Sequence, residues 1–258
     1  MTLLRSLLFN VAFYLLTAVM ALLGLPMLLA PRRCAAAFGR AWAASVLKLL
    51  GWCAGLTHEV RGAGNLPNGP VIIAMKHQSA WDTLAVPVVF ADPAIVLKRE
   101  LMMIPFYGWY LWKAGMIAID RGAGATALKR MVASSADVAA QGRAIVIFPE
   151  GTRTAPGAHQ PYQPGVAALY RQLGLPLVPV AVNSGVFWGR RRFAKRPGRI
   201  TLEILPPIPP GGERRAVMAE LERRIETATA GLVAAARDHG AVEDKPVDRS
   251  TPHRCGTR

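Results

Sequence analysis

Ala144-Ile145-Val146-Ile147-Phe148-Pro149-Glu150-Gly151-Thr152-Arg153 is the stretch on which the reading of this chain turns. Its first half is a short apolar run, rich in β-branched residues and closed by Pro and Gly, which predicts a buried strand. Its second half places a Glu, a Thr and an Arg directly at that strand's carboxyl end. The same arrangement recurs along the chain. Lys76-His77 follows Val71–Met75, Lys98-Arg99 follows Ile95–Leu97, and Asp120-Arg121 follows Met116–Ile119. Leu177–Val182 and Ile200–Leu205 read as two further strands. Helical periods cover Thr126–Ala140, Val166–Leu173 and Glu213–Ala236. This alternation predicts an α/β fold with a mostly parallel sheet flanked by helices. In such sheets the functional crevice lies beyond the carboxyl ends of the strands. Four polar groups are therefore expected to converge on one site.

The chain has 258 residues, 52% of them hydrophobic, yet carries a formal net charge of +15 from 31 Lys and Arg against 16 Asp and Glu. High hydrophobicity excludes general disorder. The charge is concentrated. Residues 1–58 contain no acid and five cations, Arg5, Arg32, Arg33, Arg40 and Lys48. Arg190, Arg191, Arg192, Lys195, Arg196 and Arg199 form a second acid-free cluster. The rest of the chain is nearly balanced. Both clusters adjoin apolar, aromatic stretches, and no nucleic-acid reading motif is present. The expected partner is an anionic membrane rather than nucleic acid, with the six cations beside Phe187 and Trp188 docking on lipid or meeting the phosphates or acidic surface of another partner.

Leu3 to Leu25 is almost wholly apolar and Ser6 to Pro31 uncharged, long enough to span a bilayer and longer than a signal-peptide core. Arg32 to Leu56 places Arg33, Arg40 and Lys48 opposite Phe38, Trp42 and Leu49, the pattern of a helix in a membrane interface with Trp at headgroup depth. Residues 1–56 are thus expected to be a membrane-associated helical segment, either a spanning helix with an interfacial one or a hairpin in one leaflet. If the first helix spans, Arg32, Arg33, Arg40 and Lys48 outweigh Arg5 and place the remainder in the cytoplasm, on the inner membrane. Residues 57–237 are expected to form the α/β domain that carries the site and 238–258 a disordered tail. Cys34, Cys53 and Cys255 fit neither a disulfide framework nor a metal site.

His77-Gln78-Ser79-Ala80-Trp81-Asp82 sets a His five residues before an Asp. Ser79 and Asp82 also fit a helix capping box. The two readings are compatible: the cap would hold Asp82 near His77, where it accepts the Nδ1 proton and leaves Nε2 as a neutral base. No Gly-x-Ser-x-Gly elbow and no nearby Cys supplies a nucleophile, so the nucleophile is expected from a substrate.

With Phe148 to Arg153 added, the chain resembles the glycerolipid acyltransferase family, which has four blocks in fixed order. His77 to Asp82 resembles the first, Gly115 to Arg121 the second, Phe148 to Arg153 the third and Leu177-Val178-Pro179-Val180 the fourth. Lys98-Arg99-Glu100-Leu101 and Ile104-Pro105-Phe106 lie where the family has a similar stretch. The resemblance implies transfer of a fatty acyl chain from acyl-CoA or acyl carrier protein to the sn-2 hydroxyl of lysophosphatidic acid, giving phosphatidic acid, without cofactor, metal or acyl-enzyme. It implies His77 as general base, Asp82 orienting it, and Arg121, Gly151 and Arg153 on the acceptor phosphate, with Glu150 and Thr152 in the same block. Glu150 could equally pair with a nearby cation, and Arg121 with a nearby acid. Lys76 stands where the family often has Asn. It reads as an added cation near the phosphate or as a subfamily mark, and Lys98 as a further phosphate cation. A different lysolipid acceptor, glycerol 3-phosphate, or a non-enzymatic lipid-binding role are the competing readings.

Overall fold

The structure is a computed structural model, and it describes residues 1–238 apart from the Arg121 side chain. Residues 239–258 carry nearly all of the expected tail, with His239, His253 and Cys255, and lie outside the described residues.

Seven strands form one sheet in the order β1-β7-β6-β2-β5-β3-β4. They are β1 (Leu56–Arg61), β2 (Ile72–Met75), β3 (Ala94–Lys98), β4 (Ile117–Ile119), β5 (Ile145–Ile147), β6 (Leu177–Val182) and β7 (Gly198–Ile204). Strands β6, β2, β5, β3 and β4 are mutually parallel, as expected. β7 is antiparallel to β6, and β1 pairs with β7 in parallel. The expectation of a mostly parallel sheet holds, with this reversed pair along one edge.

Helices cover both faces: α1 (Thr2–Leu23), α2 (Arg32–Ala54), α3 (Ala80–Val89), α4 (Tyr107–Lys113), α5 (Gly124–Ala140), α6 (Pro164–Leu173), α7 (Ser184–Phe187) and α8 (Arg214–Ala236). Pleating sends alternate residues of β2 to opposite layers. Ile73 and Met75 join α2 and α3 through Val46, Leu50, Trp81 and Phe90. Ile72 and Ala74 join α5, α6 and α8 through Met131, Leu169 and Leu221. With both faces covered, β2 and β6 are buried along their whole length, which explains their unbroken apolar sequence.

The first two helices are built into this fold. α1 is mostly exposed, but Phe9 is buried, and the helix is held along its length. Arg5 Nε donates to Cys53 O at 2.9 Å, and Tyr110 Oη donates to Ala21 O at 2.7 Å. Trp42 Nε1 donates to Thr17 Oγ1 at 3.2 Å, so Trp42 ties α2 to α1. α2 packs Val46, Leu47, Leu50 and Ala54 into the core. The amphipathic pattern read as a membrane-surface helix is largely that of a core helix. Two of its four cations are also engaged: Arg32 pairs with Asp92 at 2.6 Å, and Arg40 Nη2 donates to Val88 O at 2.9 Å.

Candidate active site

The site assembles at the carboxyl ends of the parallel strands. After β2 the chain turns sharply into α3, and Ser79 caps that helix by accepting from Trp81 N at 3.1 Å. The capping box is complete, since Asp82 accepts from Ser79 N at 2.8 Å. A cap of this kind is worth about 1 kcal/mol. Here it also aims the carboxylate. Asp82 Oδ2 lies 2.8 Å from His77 Nδ1 and accepts from Gln78 N at 2.7 Å. Asp82 Oδ1 accepts from Ser184 Oγ at 2.5 Å. Asp82 is fully buried and His77 nearly so. The carboxylate is thereby placed to accept the Nδ1–H of the imidazole.

The third block packs directly on the dyad. The His77 ring stacks on Phe148 at 4.1 Å between centroids. His77 N donates to Glu150 Oε2 at 2.9 Å, and Thr154 N donates to His77 O at 2.8 Å. Gly151 has φ +68°, a left-handed conformation that a side chain resists. The glycine is thus required by the turn itself.

Lys76 and Glu150 do not face the site. Lys76 is buried, with Nζ 2.7 Å from Glu150 Oε1 and 2.7 Å from Glu226 Oε1 on α8. Tyr162 Oη donates to the same Glu226 oxygen at 3.0 Å, and burial together with the Glu226 charge pushes that phenol's pKa up. Lys76 therefore neutralises two carboxylates behind the β2 and β5 ends and is spent there. This corrects its reading as a phosphate cation. Glu150 braces the His77 backbone and pairs with Lys76.

His77 opens onto a cavity of about 1610 Å³. Much of its lining is apolar, from Ala21 of α1, Ala35 of α2, Leu111 of α4, Met116, Leu128 of α5 and Phe148. The lining also carries charge from Lys98, Arg153, Arg190 and Arg191, as well as Arg33, Arg40 and Asp92, and includes Gly151 and Thr152. The Arg153 guanidinium has no carboxylate partner among the described residues, and its charge opposes the upward push that burial gives the Tyr107 hydroxyl. Lys98 is half exposed and pairs with Glu100 at 2.9 Å. Arg121 opens the turn after β4; its side chain lies outside the described residues. Its neighbour Asp120 accepts from Arg99 Nη1 at 2.9 Å. His58 lies against Trp81, and His159 bonds Glu222; neither belongs to the site.

Sequence reasoning passed over three of these residues. Ser184 follows the end of β6 by two positions and obeys the same after-a-strand rule as the others. Arg190 and Arg191 were visible as part of a basic cluster, but their place on the cavity was not. Lys195, from that cluster, is buried instead: Nζ donates to Asn10 Oδ1 at 2.7 Å and sits about 5 Å from the rings of Phe9, Trp188 and Phe193. Burial lowers its pKa to about 8.

A family model described as acyltransferase matches residues 57–183, which hold all four blocks. The 1-acyl-sn-glycerol-3-phosphate acyltransferase of Pseudomonas aeruginosa is 39% identical over 72% of this chain and 72% of its own. The alpha form from Mus musculus is 34% identical over 60% of this chain and 55% of its own, so the chain spans little more than half of it. Among solved structures, the 1-acyl-sn-glycerophosphate (LPA) acyltransferase of Thermotoga maritima superposes with a TM-score of 0.74, covering 95% of this chain and 100% of that one at 20% identity, a likeness of fold. The ordered blocks, the His77–Asp82 pair on that fold and these relatives place the chain in the family of 1-acyl-sn-glycerol-3-phosphate acyltransferases.

Proposed function

We propose that the chain transfers a fatty acyl group from an acyl thioester to the sn-2 hydroxyl of lysophosphatidic acid, forming phosphatidic acid. The observation that carries the reading is a buried His–Asp pair opening on a cavity whose lining is largely apolar and bears several cations. A single small ligand needs about 300–1,000 Å³. The 1610 Å³ here suits an acyl chain together with a lysolipid.

With Nδ1–H donated to Asp82, His77 Nε2 takes the proton of the acceptor hydroxyl as that oxygen attacks the thioester carbonyl. The tetrahedral intermediate collapses, the C–S bond breaks, and the thiolate leaving group takes the proton back from His77. No acyl-enzyme is formed in this scheme: the hydroxyls of Ser79 and Ser184 are committed to the cap and to Asp82. Arg153 holds the acceptor phosphate, for which a guanidinium fork is suited. Arg121, Lys98 and Thr152 complete that end, and Gly151 shapes it through its turn. The thioester is carried by coenzyme A or acyl carrier protein, and its phosphate meets Arg190 and Arg191.

The protein works on the cytoplasmic face of the inner membrane. α1 is 22 residues long, about 33 Å at 1.5 Å per residue, enough to match a hydrocarbon core of about 30 Å. Both of its ends and its middle are nevertheless held against the folded domain. A helix held along its whole length immerses its exposed Leu, Val and Tyr face in one leaflet rather than crossing away from the domain. Lys48, Arg192 and Arg196 have no carboxylate partner among the described residues and add attraction to anionic lipid, about 1 kcal/mol each near the surface.

The test is transfer of labelled acyl chains, from coenzyme A and from acyl carrier protein, to a panel of lysolipids by membranes holding the wild type or His77→Ala. Loss of about 10²–10⁴ in rate on lysophosphatidate is expected for His77→Ala. Equal activity of the two would sink the mechanism, and preference for an unphosphorylated acceptor would remove the role given to Arg153.

A further inference from the structure

We propose that Ser184 is a positioning residue for the catalytic pair: its hydroxyl locks Asp82, and Asp82 in turn holds His77. The proposal rests on His77 acting as the base.

The two oxygens of Asp82 are unequally supported. Oδ2 meets three donors, His77 Nδ1, Gln78 N and Ser79 N. Oδ1 has Ser184 Oγ, at 2.5 Å. A carboxylate pinned through one oxygen can still swing about it; a second anchor on the other oxygen fixes its plane, and with it the direction in which Nδ1–H is held. Both Asp82 and Ser184 are fully buried, so water cannot replace the hydroxyl without a rearrangement. The O–H···O⁻ separation is that of a charge-assisted bond.

Ser184 is itself firmly placed. It follows β6, the neighbour of β2 in the sheet, so it leaves the same carboxyl edge as the dyad. The preceding Asn183 is tied on both sides, accepting from Thr201 N at 2.9 Å and donating to Leu232 O at 3.2 Å. The following Gly185 donates its N–H to Gln78 Oε1 at 3.0 Å. A Cβ on Gly185 would lie 2.9 Å from Gln78 Cβ, so only glycine lets the two loops come this close. Trp188 N donates to Ser184 O at 2.9 Å and closes the turn. The whole post-β6 loop is thereby clasped to the loop bearing His77.

The experiment uses the full chain in detergent micelles or membranes and compares wild type, Ser184→Ala, Asp82→Asn, the double variant and His77→Ala. Ser184→Ala is expected to lower kcat on the order of tenfold, the loss of one hydrogen bond to a charged group, with KM for both substrates unchanged. Placed in Asp82→Asn, the same change is expected to add less than about twofold, because the carboxylate it serves is already gone. Ser184→Cys keeps the volume but donates weakly, and its kcat is expected between the two; it decides the matter if Ser184→Ala does not fold. Wild-type kcat in Ser184→Ala or Ser184→Cys, or a full tenfold loss on top of Asp82→Asn, would overturn the proposal. An active His77→Ala would instead overturn the reading of the base, whereas an inactive His77→Ala beside an unaffected Ser184→Ala would overturn this proposal alone.

Discussion

Lys76 Nζ lies 2.7 Å from Glu226 Oε1, joining the end of β2 to α8 across 150 positions of sequence. The cation adjacent to His77 in sequence thus belongs to the scaffold behind it. With Glu150 on its other side, it compensates two carboxylates in a buried space.

Lys76→Met should therefore fail by instability. It leaves Glu150 buried without its cation, and breaking such a pair costs about 3–5 kcal/mol. Thermal unfolding should show a large fall, while the KM for lysophosphatidate of the surviving folded protein stays near that of wild type. A raised KM with unchanged stability would return Lys76 to the phosphate site.

Arg153→Ala should act in the opposite sense. Arg153 has no acid to balance among the described residues, so its removal should leave the melting temperature nearly unchanged. The KM for a phosphorylated acceptor should rise at least tenfold, since a charge-assisted bond is worth about 1.5–3 kcal/mol. Steady-state kinetics with lysophosphatidate and an unphosphorylated lysolipid would separate the two effects.

Asp92 sets an acid limit on stability. Burial pushes its carboxyl pKa up, but the hydrogen bond from Arg32 and the charges of Arg143 and Arg32 outweigh that and hold it below the ordinary value. A depressed carboxylate stabilises the fold above its unfolded pKa, about 3.9, and loses that contribution as pH falls through the lower folded value. Denaturant titrations at pH 7 and pH 3 should show wild type losing more stability than Asp92→Asn. The difference should be modest, about 1 kcal/mol, because the pair is partly open to solvent.

Lys195→Met should loosen α1. The ammonium is held by Asn10 of α1 and lies over Phe9, also of α1, while Lys195 N donates to Ser6 Oγ at 2.9 Å. A buried cation–π contact contributes up to about 2 kcal/mol. Hydrogen exchange should speed up across residues 5–12, with the strands β2 and β5 unaffected.

Much of this was legible locally. The apolar runs of β2, β5 and β6 and the polar residues behind them announced both the parallel sheet and the edge at which the site lies. β1 was not legible: Leu56-Thr57-His58-Glu59-Val60-Arg61 is a half-exposed edge strand with no apolar run, stabilised by pairing with β7 far along the chain. The direction of β7 was equally hidden, because strand patterning is the same whichever way the chain runs. Among site residues, His77 and Asp82 are bound within one loop and could be read as a unit. Lys76 beside them could not, because its partners stand on β5's following turn and on α8. The charge stripe of α2 was visible, but whether lipid or a sheet covered its other side depended on packing.

α1 supplies Tyr14, Thr17, Ala18, Met20 and Ala21 to the wall of the cavity that His77 faces. A truncated enzyme made water-soluble by removing this helix would thus have an open-sided binding chamber. Conversely, filling the chamber from the helix, as with Ala18→Leu or Ala21→Leu, offers a way to set how long a chain the enzyme accepts without touching the residues that carry the reaction.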